Sequence, residues 1–116
     1  MRLINSVLLK STIYNYETGM TLVDKPTYVL FTSKSCQLCK TVKQNVLILE
    51  KKYKDKVDFC ELNIDRSPTA SNGMGIEYIP YSFATSKRDD PDPWRITGNP
   101  PLTELTNVIE EIINMA

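Results

Sequence analysis

The chain has 116 residues, 41% of them hydrophobic and 24% charged, the size and composition of one globular domain with a single core. Fourteen basic residues balance fourteen acidic ones, and no run of like charge marks a nucleic-acid groove or a membrane-facing patch, so neither partner is expected. No stretch approaches the ~20 apolar residues that span a bilayer.

Along the chain, Met1–Leu9 is basic and then apolar. Asn5 and Ser6 interrupt it, and no small-residue cleavage site precedes the polar run from Lys10. It is therefore not read as a leader, and a cytoplasmic protein is expected. Val7–Leu9 reads as a first strand. From Ser11, the apolar positions Ile13, Tyr14, Tyr16, Met20 and Leu22 suggest a short irregular helix, weakened by Thr12, Asn15, Thr18 and Gly19. Thr27–Thr32 is β-branched and aromatic without alternation, which predicts a strand covered on both faces.

After Ser33 and Ser35, either of which could cap a helix, a long helical pattern runs from Cys36 to Tyr53. Val42, Val46, Leu49 and Tyr53 form its buried stripe. Phe59–Ile64 is the next strand. Thr69–Met74 is a short helix closed by Gly75. Tyr81–Thr85 is a strand, Asp89–Pro93 a hairpin turn and Trp94–Thr97 the returning strand, with Trp94 a packing residue. A last helix carries Pro101 in its first turn and Leu102, Leu105, Val108, Ile109, Ile112 and Ile113 on its apolar face. The order is βαβαβαββα, an α/β fold with a mixed central sheet and helices on both faces. One domain over residues 1–116, acting as a monomer, is the expectation.

Of the three cysteines, Cys36 and Cys39 are two residues apart and Cys60 is distant. A stapled secreted framework carries more cysteines, in even number. With no histidine in the chain, a zinc site would have to borrow carboxylates or a second chain, and no metal or other cofactor is expected.

The Cys36-Gln37-Leu38-Cys39 motif between a buried strand and a long helix, with Ile79-Pro80 downstream, resembles the thioredoxin family. Leu62-Asn63-Ile64-Asp65, Gly75-Ile76 and Gly98 extend the resemblance over nearly the whole chain. It implies a thioredoxin fold and a thiol–disulfide oxidoreductase, most simply a reductant of protein or small disulfides. Protein disulfide clients and a thioredoxin reductase are the implied partners. Cys36 becomes the nucleophile, placed at a helix N-terminus where unpaired N–H groups and the dipole favour the thiolate. Cys39, one turn inside and more buried, becomes the resolving thiol. Pro80 is expected to be cis and to face the sulfurs, leaving the backbone of Ile79 free to pair with an extended client.

The chain departs from the family's Trp-Cys-Gly-Pro-Cys, with Ser35 for the tryptophan and Gln37-Leu38 inside. Ser35 and Leu38 join Ile79 and Pro80 as expected client-binding residues, Leu38 restoring part of the lost apolar contact. The family's buried aspartate position holds Leu30, and its lysine position on the neighbouring strand holds Glu61. Glu61 is expected to be a buried carboxylate without a lysine, exchanging a proton with Cys39; the competing reading is a structural residue that reaches solvent or a surface lysine. Cys60, facing away from Glu61, is expected in the core. Two other functions compete: a redox-silent interaction module, and a glutaredoxin-like enzyme using glutathione.

Overall fold

The computed structural model describes residues 1–116. Its main sheet runs in the order β1-β5-β4-β6-β7, built from β1 (Arg2–Ile4), β4 (Thr27–Thr32), β5 (Asp58–Asn63), β6 (Tyr81–Thr85) and β7 (Trp94–Thr97). β1 and β4 lie parallel to β5, whereas β6 is antiparallel to both β4 and β7. A two-stranded ribbon, β2 (Tyr14–Asn15) and β3 (Met20–Thr21), stands apart.

Every residue of β4 is buried, and the reason lies on both sides of it. Val29 and Phe31 join Leu9, Ile13, Cys60, Leu62, Ala70, Met74 and Phe83 on one face. Tyr28 and Leu30 join Val42, Val46, Leu49, Leu105, Val108, Ile109 and Ile112 on the other. Alternate side chains of one strand thus enter two separate cores. The first core is roofed by the N-terminal helical segment and α3 (Pro68–Met74); the second is roofed by α2 (Gln37–Tyr53) and α4 (Leu102–Asn114). This is the mixed, two-sided α/β architecture expected from the sequence. α3 ends on Gly75 at φ 69°, a left-handed turn that glycine adopts without a Cβ penalty.

The N-terminal third differs from the expectation. The first strand is Arg2–Ile4, not Val7–Leu9; Ser6–Leu8 is α1 (α-helical) and continues as a π-helical stretch over Leu9–Ile13. Asn5 starts it by accepting the Leu8 N–H at 2.9 Å. Where an irregular helix was predicted, Tyr14–Asn15 and Met20–Thr21 pair as the ribbon, turning through Gly19 at φ 76°. Tertiary contacts decide this: Tyr14 packs on Phe83 with centroids 4.8 Å apart, and Arg95 donates to the Tyr14 hydroxyl at 3.0 Å. Trp94 is 42% exposed and not a core residue.

Candidate active site

β4 ends at Thr32, and the loop that follows is held by a carboxylate from the next strand's end. Ser33 Oγ donates to both Asp65 oxygens at 3.1 and 3.0 Å, and the Lys34 N–H donates to Oδ2 at 2.9 Å. Neither Ser33 nor Ser35 caps α2. Cys36 does, in extended conformation, its Sγ accepting the Cys39 N–H at 3.1 Å. Cys36 and Cys39 are disulfide-linked, with Cα atoms 5.3 Å apart. Cys36 is half-buried while Cys39 is 3% exposed, so a single turn of helix gives one sulfur access and hides the other.

The Ile79–Pro80 peptide bond is cis. Phe31 pairs with Tyr81, which sets Pro80 beside Thr32 at the root of the cysteine loop. The Gly98 N–H donates to the Pro80 carbonyl at 2.8 Å, tying the β7–α4 turn to the same end of the sheet. Neither the N–H nor the carbonyl of Ile79 enters a backbone hydrogen bond. Ser35 is exposed, and Leu38 and Tyr78 are 53% and 70% exposed. The predicted site residues Ser35, Leu38, Ile79 and Pro80 therefore share the end of the sheet that carries the disulfide.

Glu61 is buried at 9% exposure, and its expected lack of a lysine is corrected by the structure. Lys43 Nζ lies 2.9 Å from Oε1, while Thr32 Oγ1 donates to Oε2 at 2.9 Å. The ammonium comes from α2, four residues after Cys39 and so on the same helix face. Spacing from Cys39 was the one signal that could have revealed Lys43; Thr32 had none. Glu61 and Lys43 line a cleft of about 650 Å³ whose wall includes Cys36 and Cys39. Cys60 is fully buried in the opposite core, where burial pushes its thiol up to about 12. No group of three or more histidine, cysteine, aspartate or glutamate side chains converges to hold a metal, and no helix is long and apolar enough to cross a membrane.

A CxxC disulfide at the start of a long helix, with a cis-proline at the same end of the α/β sheet, is an arrangement able to alternate between dithiol and disulfide. Comparison with known proteins agrees: the family model for thioredoxin matches residues 7–111, and the chain belongs to the thioredoxin family. Thioredoxin-like protein HCF164, chloroplastic, of Arabidopsis thaliana is 34% identical over 90 residues, which is 76% of this chain and 34% of that protein. Thioredoxin M5, chloroplastic, of Oryza sativa subsp. japonica is 24% identical over 100 residues, 86% of this chain and 57% of that one. The chain thus spans only about a third of the length of the first relative. The crystal structure of chloroplastic thioredoxin z superposes with a TM-score of 0.77 at 17% identity, covering 97% of this chain and 93% of that one; at this identity the likeness speaks to the fold. The curated relatives are chloroplastic proteins, which overturns the cytoplasmic expectation.

Proposed function

We propose that this protein reduces disulfides in protein clients through the Cys36–Cys39 couple. The observation that carries the reading is the pair itself, one sulfur accessible and its partner buried one helical turn away. In the reduced protein the Cys36 thiolate attacks a client disulfide. The client S–S bond breaks, a Cys36–client mixed disulfide forms, and the departing client thiolate takes a proton from water. Cys39, deprotonated, then attacks Cys36 Sγ, releasing the second client thiol and leaving the protein oxidised by two electrons. An external dithiol, of which a thioredoxin reductase is one source, returns them. The chloroplastic relatives favour a plastid setting for this chemistry.

Glu61 takes the proton from Cys39, directly or through a water in the cleft. Lys43 and Thr32 hold its carboxylate in place for that exchange. Ser35, Leu38 and the open backbone of Ile79 beside Pro80 receive an extended client segment. The decisive experiment is insulin reduction with dithiothreitol as electron source. Turnover well above the dithiothreitol background is expected, with Cys36→Ser inactive and Cys39→Ser accumulating mixed disulfides through Cys36. A wild-type protein that adds nothing to the background supports the redox-silent module instead.

A further inference from the structure

The cleft beside the disulfide carries more charge chemistry than the thiol exchange uses. It opens at the carboxyl ends of β4 and β5, adjacent parallel strands whose following helices, α2 and α3, lie on opposite faces of the sheet. Crevices at such a reversal are where open α/β sheets place their ligands. Its lining residues other than Cys36 and Cys39 are polar or charged, with Lys34, Lys40, Lys43 and Arg66 against Glu61 and Asp65. Lys43 is committed to Glu61, and Asp65 to the hydrogen bonds of the Ser33–Lys34 turn. Lys34, Lys40 and Arg66 are exposed and take part in no ion pair. Three unneutralised cations therefore border a cavity that reaches the accessible sulfur.

We infer that this cleft selects protein clients whose cysteine is flanked by acidic residues, seating an aspartate or glutamate side chain between Arg66 and Lys40 while Cys36 engages the disulfide. The inference rests on the oxidoreductase reading and deepens it by naming the client's charge. The match is one of complementary potential at a solvated rim, so it acts mainly on the rate of productive encounter and is screened by salt. Arg66 suits the role, since its planar fork takes a carboxylate through two parallel hydrogen bonds.

The test uses the pre-reduced protein and three disulfide-bridged peptides alike except for flanks of glutamate, glutamine or lysine, with rates read by acid quench. At low ionic strength the acidic peptide should react about fivefold faster than the neutral one and the basic peptide slowest. The spread should collapse in about 0.5 M salt, where the Debye length falls to a few ångströms. Arg66→Glu should abolish or invert the order of the three peptides. Lys25→Glu changes net charge equally at the far end of β4 and should leave the order intact. Equal rates for the three peptides, or a preference that survives in Arg66→Glu, would overturn the inference while the oxidoreductase reading stands. Failure of the wild-type protein to reduce even the neutral peptide would remove both. Efficient, Arg66-dependent reduction of glutathione disulfide without peptide discrimination would reassign the cleft to a small anionic disulfide.

Discussion

In the proposed mechanism Glu61 serves stability and proton exchange together. It is buried, yet both of its oxygens are engaged, one by an ammonium on α2 and one by a hydroxyl on β4. Removing Lys43 leaves that carboxylate without its counter-charge, so Lys43→Met should cost about 1–2 kcal/mol, less than a fully buried pair because the lysine is half-exposed. Glu61→Gln keeps the shape and removes the proposed proton exchange. It should slow resolution of the Cys36 mixed disulfide by about tenfold or more with little effect on the first attack; stopped-flow rates for the two steps separate the outcomes. Equal resolution rates across pH 6 to 9, on the order of the wild-type value, would leave Glu61 structural. Cys60 makes the simpler residue-scale case. Burial raises its thiol from 9.0 to about 12. A raised folded value means the contribution is complete below the unfolded value and is lost as pH rises through the folded one. Unfolding free energy should therefore decline from about pH 9 upward, and Cys60→Ala should flatten that decline in urea titrations.

At the scale of elements, the β6–β7 turn shows how an acidic stretch can be internal structure. Asp90 is buried at 7% exposure. Its Oδ2 accepts the Ser86 N–H and hydroxyl at 3.0 and 3.1 Å and the Thr85 hydroxyl at 3.0 Å, while Oδ1 accepts the Asp92 N–H at 3.0 Å. Burial works to raise this carboxyl, but the donors from Ser86, Asp92 and Thr85 together hold it below its ordinary value. The sign is opposite to that of Cys60: stability is present above the unfolded carboxylate value and drains away as pH falls through the folded one. Asp90→Ala should cost about 2–3 kcal/mol, because several buried donors lose one acceptor, and should weaken the acid sensitivity of thermal unfolding. In sequence, Asp89-Asp90-Pro91-Asp92-Pro93 read only as a hairpin turn, since nothing local says which of its aspartates faces inward.

Legibility divides along the same physical line. β4, α2, β5, α3, β6, β7 and α4 were readable because residue type, periodicity and turn signals agree along each segment, even though the serines expected to cap α2 do not. The disulfide pair and Pro80 were placed by motif order. Val7–Leu9 was misread because a short apolar run fits a strand or a helical turn equally; here Val7 and Leu8 are exposed and only Leu9 enters the core. The β2–β3 ribbon exists through Phe83 and Arg95, far away in sequence. The pairing of Lys43 was not legible because it joins a helix to a strand 18 residues further along the chain.

For the whole molecule, the central feature is a sheet packed on both faces by cores that reach across the chain. Reducing the Cys36–Cys39 link frees a loop of only four residues, which by loop-closure entropy is about 2 kcal/mol. Both cores are assembled without Cys36. Reduction should therefore lower the denaturant midpoint while preserving a single cooperative transition, as chemical denaturation with and without dithiothreitol can show. Ile109→Ala, by contrast, opens a cavity in the second core and should cost about 2–5 kcal/mol.

The position of β1 bears on how the chain assembles during synthesis. Arg2, Leu3 and Ile4 pair with Cys60, Glu61 and Leu62 and with no other strand. The Ser6 hydroxyl, donating to the Ser67 carbonyl at 3.1 Å and accepting the Ala70 N–H at 3.0 Å, supplies the N-terminal cap that Ser67 does not give α3. Residues 2–6 therefore wait until the chain has been made as far as β5 and α3 before either contact can form. Until then Leu3 and Ile4 have no strand to pair with.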